Sequence, residues 1–141
     1  MNRKSIILSA VFAAVLFAFT ALAGAAPAMN RQIDTLMSKY RKEAGVKTFS
    51  AEAGREFFNR KRVHSKGEVR SCSRCHTSNP ANKGRTPVGK VIEPMAPSVN
   101  PERFTDPKKV EKWFRRNCRW VLERECTPEE KGNYLTFMFS L

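Results

Sequence analysis

The sequence is poor in acid. It has 13 Asp+Glu against 26 Lys+Arg in 141 residues, a formal net charge of +13. It has one long apolar run, at its start, which excludes a multi-span membrane protein. With 41% hydrophobic residues it is too apolar for general disorder. It contains no internal repeat, no low-complexity tract and no clear strand alternation, so a large α/β enzyme fold does not fit. It has only two histidines and four cysteines, which leaves little for a zinc site. On composition alone, the surplus of positive charge points to an acidic partner such as nucleic acid, anionic lipid or an acidic protein.

The apolar run decides between these. Arg3 and Lys4 precede an apolar stretch from Ile6 to Leu22, broken only by Ser9 and Thr20, and Ala21-Leu22-Ala23 follows as a cleavage site. This is a secretory signal peptide over residues 1–23, with Ala26 and Ala28 as later cleavage points. An uncleaved membrane anchor is the competing reading. Export to a periplasm removes chromosomal DNA as a partner. The basic charge then suits an acidic redox protein or peripheral contact with a membrane surface. Export also places the cysteines in an oxidising compartment.

Cys72-Ser73-Arg74-Cys75-His76 is C-x-x-C-H, the attachment signature of c-type haem. Two thiols reach the two vinyl groups on one edge of the porphyrin, and the next residue, His76, falls under the iron as axial ligand. A thioredoxin-like pair would need a preceding strand, and none is predicted before Cys72. A zinc site would need a second close ligand pair, but Cys118 and Cys126 are too far apart and His64 is the only other histidine. Cys118 and Cys126 are then an even remainder, and a disulfide between them is the default.

The chain after the signal reads as an N-terminal helical extension over 24–49 and a monohaem domain over 50–141. Ile33, Leu36, Met37 and Tyr40 follow helical spacing, with Gly45 as a stop. Ser50 caps a helix carrying Ala53, Gly54, Phe57 and Phe58. Residues 59–71 read as a basic connector. Thr77 to Arg103 reads as loop, because its prolines and glycines forbid long helices. Asp106-Pro107 starts a helix whose buried stripe is expected to be Val110, Trp113, Phe114 and Asn117, with Trp120 and Val121 extending it. Thr127-Pro128-Glu129-Glu130 is a capping box for a last helix with Tyr134, Leu135, Phe137, Met138 and Leu141. The expected fold is all-α, with haem as the apolar filler at its centre and a poorly folded apoprotein.

The sixth ligand position decides function: a strong ligand makes an electron carrier, a weak one leaves room for a gas. Met95 lies in the rigid loop Pro94-Met95-Ala96-Pro97 and is the foremost candidate on the residues alone. Met138 reads as core and His64 as a solvated loop histidine. Asn117 stands out as an amide in an otherwise apolar stripe, which must find a partner or cost about 1–3 kcal/mol. Arg85, Lys90 and Trp113 are candidates to hold the haem propionates.

Residues 94–106, with Pro94-Met95-Ala96-Pro97-Ser98-Val99-Asn100-Pro101 and Arg103-Phe104-Thr105-Asp106, resemble the sphaeroides haem protein family of monohaem cytochromes. The likeness continues through Val110-Glu111-Lys112-Trp113, Arg116-Asn117-Cys118 and Cys126-Thr127-Pro128, and spans roughly Gly54 to the C-terminus. Thr77 departs from it, standing where a glycine is common after the haem histidine. The resemblance implies a class I cytochrome c-like fold, one covalent haem c on Cys72 and Cys75, and His76 as proximal ligand. It implies Asn117 as the ferric-state distal ligand and a Cys118–Cys126 disulfide. It makes Met95 a packing residue.

It further implies that Asn117 leaves on reduction, opening the site to O2 or NO. A dihaem cytochrome c is the implied redox partner. The leading expectation is thus an electron-transferring, gas-binding haem protein rather than a dedicated enzyme. The alternatives are a low-spin shuttle with Met95 as sixth ligand and a haem oxidoreductase consuming O2 or NO.

Overall fold

The computed structural model describes residues 28–141. The expected signal peptide, residues 1–23, lies outside them. Among the described residues, no helix is long and apolar enough to cross a membrane.

The expected long helices form. α1 spans Arg31–Ala44. Asn30 caps it, accepting from Ile33 N–H at 2.9 Å, and Gly45 closes it at φ 69°. The same Asn30 donates to the Thr105 carbonyl at 2.8 Å, tying the start of α1 to a distant loop. α2 spans Ala51–Asn59 and is capped by Ser50. A single helical turn, α3, spans Ser73–His76. α4 spans Pro107–Leu122, with Asp106 accepting from the N–H groups of Lys108 and Lys109 and Pro107 in its first turn. α5 spans Pro128–Phe139 behind the full Thr127/Glu130 capping box.

Two small hairpins are new. Where the sequence reads as connector, β1 (Arg62–Val63) pairs antiparallel with β2 (Val69–Arg70). Where it reads as loop, β3 (Gly84–Arg85) pairs with β4 (Val91–Ile92). Gly67 and Gly89 make their turns at φ 81° and 82°. Two residues per strand are too few for alternation to show in sequence.

The core lies where α1, α2, α4 and α5 meet. Ile33, Tyr40, Phe58, Leu135 and Met138 are fully buried there. α2 and α5 approach so closely that a Cβ on Gly54 would strike the Asn133 carbonyl, and Phe49 lies on Gly132. Asn133 answers through its side chain, accepting from Ser50 N–H at 2.8 Å. α1 shares this core through Ile33, Leu36, Met37 and Tyr40. Together these helices hold α3 and α4 on the walls of one cavity.

Candidate functional site

The C-x-x-C-H segment folds as one tight turn. The N–H groups of Cys75 and His76 both donate to the Cys72 carbonyl, at 3.3 and 3.2 Å. Ser71 accepts from Arg74 N–H at 3.1 Å, and the Arg74 guanidinium reaches the Val69 carbonyl at 2.7 Å. Gly84 of β3 lies against this turn, where any Cβ would collide with the Cys75 carbonyl. The result places Cys72, Cys75 and His76 side by side on the wall of a cavity of about 600 Å³. That volume is in the range of cofactor sites.

The cavity is mostly apolar, with Phe57, Ile92, Phe104, Phe114 and Tyr134 among its walls. Both thiols are free. Burial pushes the Cys72 thiol up to about 11, so it is held protonated, unlike the thiolate of a redox-active dithiol. Burial, and then the nearby Arg103 cation, hold His76 below the ordinary imidazole value. It is therefore the neutral form that ligates metals. Its Nδ1 is buried with no hydrogen-bond partner, an unmet demand that such sites rarely tolerate. Two free thiols, an unmatched imidazole and apolar walls fit a haem bound covalently through both sulfurs.

α4 forms another wall. Val110, Phe114, Cys118 and Val121 are buried in protein. Trp113, Asn117 and Trp120 line the cavity but are exposed, with Trp113 at 50%. This corrects the expected single buried stripe: the whole stripe lines the cavity, but only Val110, Phe114 and Val121 of it are buried, while Trp113, Asn117 and Trp120 are exposed. Asn117 makes no side-chain hydrogen bond among the described residues, so its amide is free to take a ligand's place. The next residue, Cys118, is bonded to Cys126, with Cα atoms 5.5 Å apart. This bridge pins the end of α4 to the residue before the α5 cap.

The other candidates divide. Met95 lines the cavity as well, its N–H donating to the Pro80 carbonyl at 2.7 Å. Met138 is core. His64 is not solvated: its side chain is 9% exposed and its Nε2 lies 3.1 Å from Glu123 Oε1. The β1–β2 turn folds it back onto the end of α4, where Ser65 also donates to Glu123. Of the propionate candidates, Lys90 and Trp113 line the cavity and Arg85 does not. Arg103, Lys109 and Thr86 do, and sequence reasoning missed them as a group. Arg103 is clamped by donating to the carbonyls of Pro94 and Glu93 at 2.9 and 2.7 Å. Nothing in its spacing signals that role.

Thr77, directly after the histidine, sits at φ 61° and ψ 170°, a region that suits glycine. Its hydroxyl donates to the Asn79 carbonyl at 2.7 Å. Relief of such strain is worth about 1–3 kcal/mol, against about 1 kcal/mol for the lost hydrogen bond. Thr77→Gly is expected to gain about 1 kcal/mol net, seen as a higher Tm of the holoprotein. A lower Tm would contradict this.

Comparison with known proteins agrees with the cavity's chemistry. Residues 44–138 match a family described as a domain of unknown function, DUF1924. The chain is 41% identical over 117 residues to the cytochrome c-type protein SHP of Cereibacter sphaeroides, covering 83% of this chain and 90% of that one. It is 46% identical over 88 residues to cytochrome c'' of Methylophilus methylotrophus, covering 62% of this chain and 61% of that one. Among solved structures it resembles oxidised SHP, described as an oxygen-binding cytochrome c, with TM-score 0.71 and 40% identity over 77% of this chain and 96% of that one. Oxidised cytochrome c'' from Methylophilus methylotrophus gives TM-score 0.70 and 40% identity over 76% and 92%. With its C-x-x-C-H turn on an apolar cavity, the chain belongs to the DUF1924 family as an SHP-like monohaem c-type cytochrome carrying covalently bound haem c.

Proposed function

We propose that the protein is a periplasmic electron-transfer cytochrome in which Asn117 occupies the distal axial position when oxidised and yields it to O2 or NO on reduction. The observation that carries this is Asn117 itself: an amide with no side-chain hydrogen bond among the described residues, contributed by α4 to the cavity that the C-x-x-C-H turn also lines. SHP, described as binding oxygen, supports the gas-binding half. A solution structure of cytochrome c'', described as giving insights into haem-ligand detachment, supports the leaving half.

When bound, haem c would supply an iron that exchanges one electron and can take a small ligand. The chain's residues do the rest. Cys72 and Cys75 would anchor the group through their sulfurs, and neutral His76 would give its iron a nitrogen. Arg103, Lys90 and Lys109, which line the cavity, would pair with its carboxylates. The amide oxygen of Asn117 is a hard, weak donor that would suit ferric better than ferrous iron, and would be held less firmly by the reduced group. Its N–H is then at hand to donate to the ligand that replaces it. The disulfide at Cys118 keeps the helix end in place while the side chain moves. Export follows from the N-terminal leader.

Met95 carries the second reading, because it too lines the cavity. A soft thioether would hold ferrous iron and exclude gases. Carbon monoxide separates the two: a reduced protein that binds CO supports Asn117, and one that ignores CO supports Met95. Turnover of O2 or NO with a reductant would add an enzyme's role to the first reading.

The partner we propose is an acidic redox protein, such as a dihaem cytochrome c. Lys108, Lys112, Arg115, Arg116 and Arg119 are exposed along α4, the helix that carries Asn117. Charges in solvent are screened over about 8 Å at physiological salt. The second-order rate of electron exchange with an acidic partner is therefore expected to fall steeply between low and physiological salt, in stopped-flow mixing. A rate indifferent to salt would remove this face from the account.

A further inference from the structure

Asn117 has an indole on either side of it. On α4, Trp113 lies four residues before it and Trp120 three after, the spacings at which helix side chains are neighbours. The rise of a helix sets the two tryptophans about 10 Å apart along its axis, with the amide between them. All three side chains line the haem cavity. Each indole also has a guanidinium over its ring: Arg116 lies 5.0 Å from the Trp113 centroid and Arg70 lies 4.5 Å from that of Trp120. Neither arginine lines the cavity, so each supports its ring from outside it. The two supports differ. The Arg70 side chain is 11% exposed and all three of its nitrogens are engaged. Nε and Nη2 donate to Glu68 at 3.1 and 2.8 Å, and Nη1 donates to the Trp120 carbonyl at 2.7 Å. That carbonyl lies in the last turn of α4, where carbonyls lack a partner within the helix and a cation is welcome. Arg70 thus grips both the ring and the backbone of Trp120. Arg116 is exposed and makes no side-chain hydrogen bond among the described residues.

We propose that Trp113 and Trp120 are the specificity-determining residues of the distal site. They wall the slot that Asn117 would vacate, so that it admits diatomic ligands and turns away bulkier ones. Arg70 is the positioning residue that makes Trp120 the fixed wall. The inference rests on the function proposed above, because it needs a distal position that opens. An indole is a rigid plate with few torsions, and a stacked cation takes up part of the freedom that remains. A diatomic ligand needs no more room than the amide group it replaces. A branched ligand in the same slot needs one of the rings to move, and closely packed side chains resist that. Trp120, held at ring and backbone, resists it more than Trp113, whose only support is an exposed arginine.

The test compares CO with tert-butyl isocyanide, which offers iron the same kind of carbon donor on a branched body. Both are titrated against the reduced holoprotein, and the readout is the ratio of the isocyanide Kd to the CO Kd. Trp120→Ala is expected to lower this ratio about tenfold or more, the lower end of what one pocket contact discriminates. Trp120→Phe keeps a smaller ring and is expected to fall between, which keeps the wall testable if the alanine variant folds poorly. Trp113→Ala is expected to lower the ratio severalfold. Arg70→Met, which frees the Trp120 ring, is expected to do the same, and Arg70→Lys, which keeps a cation over the ring, to do so less. A ratio within about twofold of wild type in one tryptophan-to-alanine variant would remove that residue from the walls, and in both would overturn the proposal. A ratio lowered by Trp120→Ala but unmoved by Arg70→Met would leave Arg70 a merely structural residue and overturn its positioning role. Reduced wild type that binds neither ligand would overturn the function proposed above and the walls with it. Failure of Asn117 alone shows separately, as CO affinity unaltered by Asn117→Met while the tryptophan variants still shift the ratio.

Discussion

Replacing Asn117 with methionine is expected to turn the protein into a closed electron shuttle. In wild type the reduced protein should bind CO readily, because the amide is a poor ligand for ferrous iron. A thioether at the same place on α4 is a good one. If that thioether occupied the position for about 99% of the time, apparent CO affinity would fall about 100-fold, because only the vacant fraction is competent to bind. The reduced spectrum should become low-spin in the same variant. Asn117→Ala separates loss of the native ligand from gain of a new one. It should leave the reduced protein open to CO while removing the low-spin ferric signal. CO affinity within a factor of two of wild type in Asn117→Met would count against Asn117 as the gate.

The second large effect concerns the bridge beside it. Cys118 and Cys126 are both buried, and their bond closes a loop with a sequence separation of 8. Chain-entropy reasoning for a loop of this size gives about 2.5 kcal/mol of stability. The double variant Cys118→Ala/Cys126→Ala is expected to lose about that much in denaturant unfolding of the oxidised holoprotein, with the m-value little changed. The loss has a local meaning too. Glu123, between the two cysteines, ends α4 in the left-handed region at φ 57° and accepts from both the Ser65 N–H and hydroxyl. Without the bridge, the helix end that carries Asn117 is held by this contact, by His64 against Glu123 and by the Arg70 guanidinium donating to the Trp120 carbonyl at 2.7 Å. Ligand-binding kinetics of the double variant should therefore become heterogeneous. A loss under about 0.5 kcal/mol, below the range ordinary for native disulfides, would show that the bridge is dispensable.

The helices were legible because each carries its own punctuation. Gly45 stops the first of the four long ones, and Ser50, Asp106 and Thr127 cap the other three. The C-x-x-C-H turn was legible because its chemistry demands fixed spacing. The two hairpins were not, because two-residue strands leave no alternation to read. Nor was the exposure of Trp113, Asn117 and Trp120 on α4. Trp113 and Asn117 face a space that haem fills, and periodicity registers an apolar neighbour without saying whether it is protein or cofactor. His64 shows the opposite failure. Its basic, polar sequence neighbours suggest solvent, yet a reverse turn brings it against Glu123, far along the chain at the end of α4. Arg103 reaches the cavity through a loop whose path only the folded chain reveals.

The account's central claim is that the distal position is closed when oxidised and open when reduced. An absorption spectrum of the reduced holoprotein, recorded with and without CO, tests this most directly. The account predicts a high-spin ferrous spectrum that shifts on adding CO, alongside an oxidised spectrum that is low-spin. A reduced spectrum that is already low-spin, and that CO leaves unmoved, would contradict it and give the distal position to Met95.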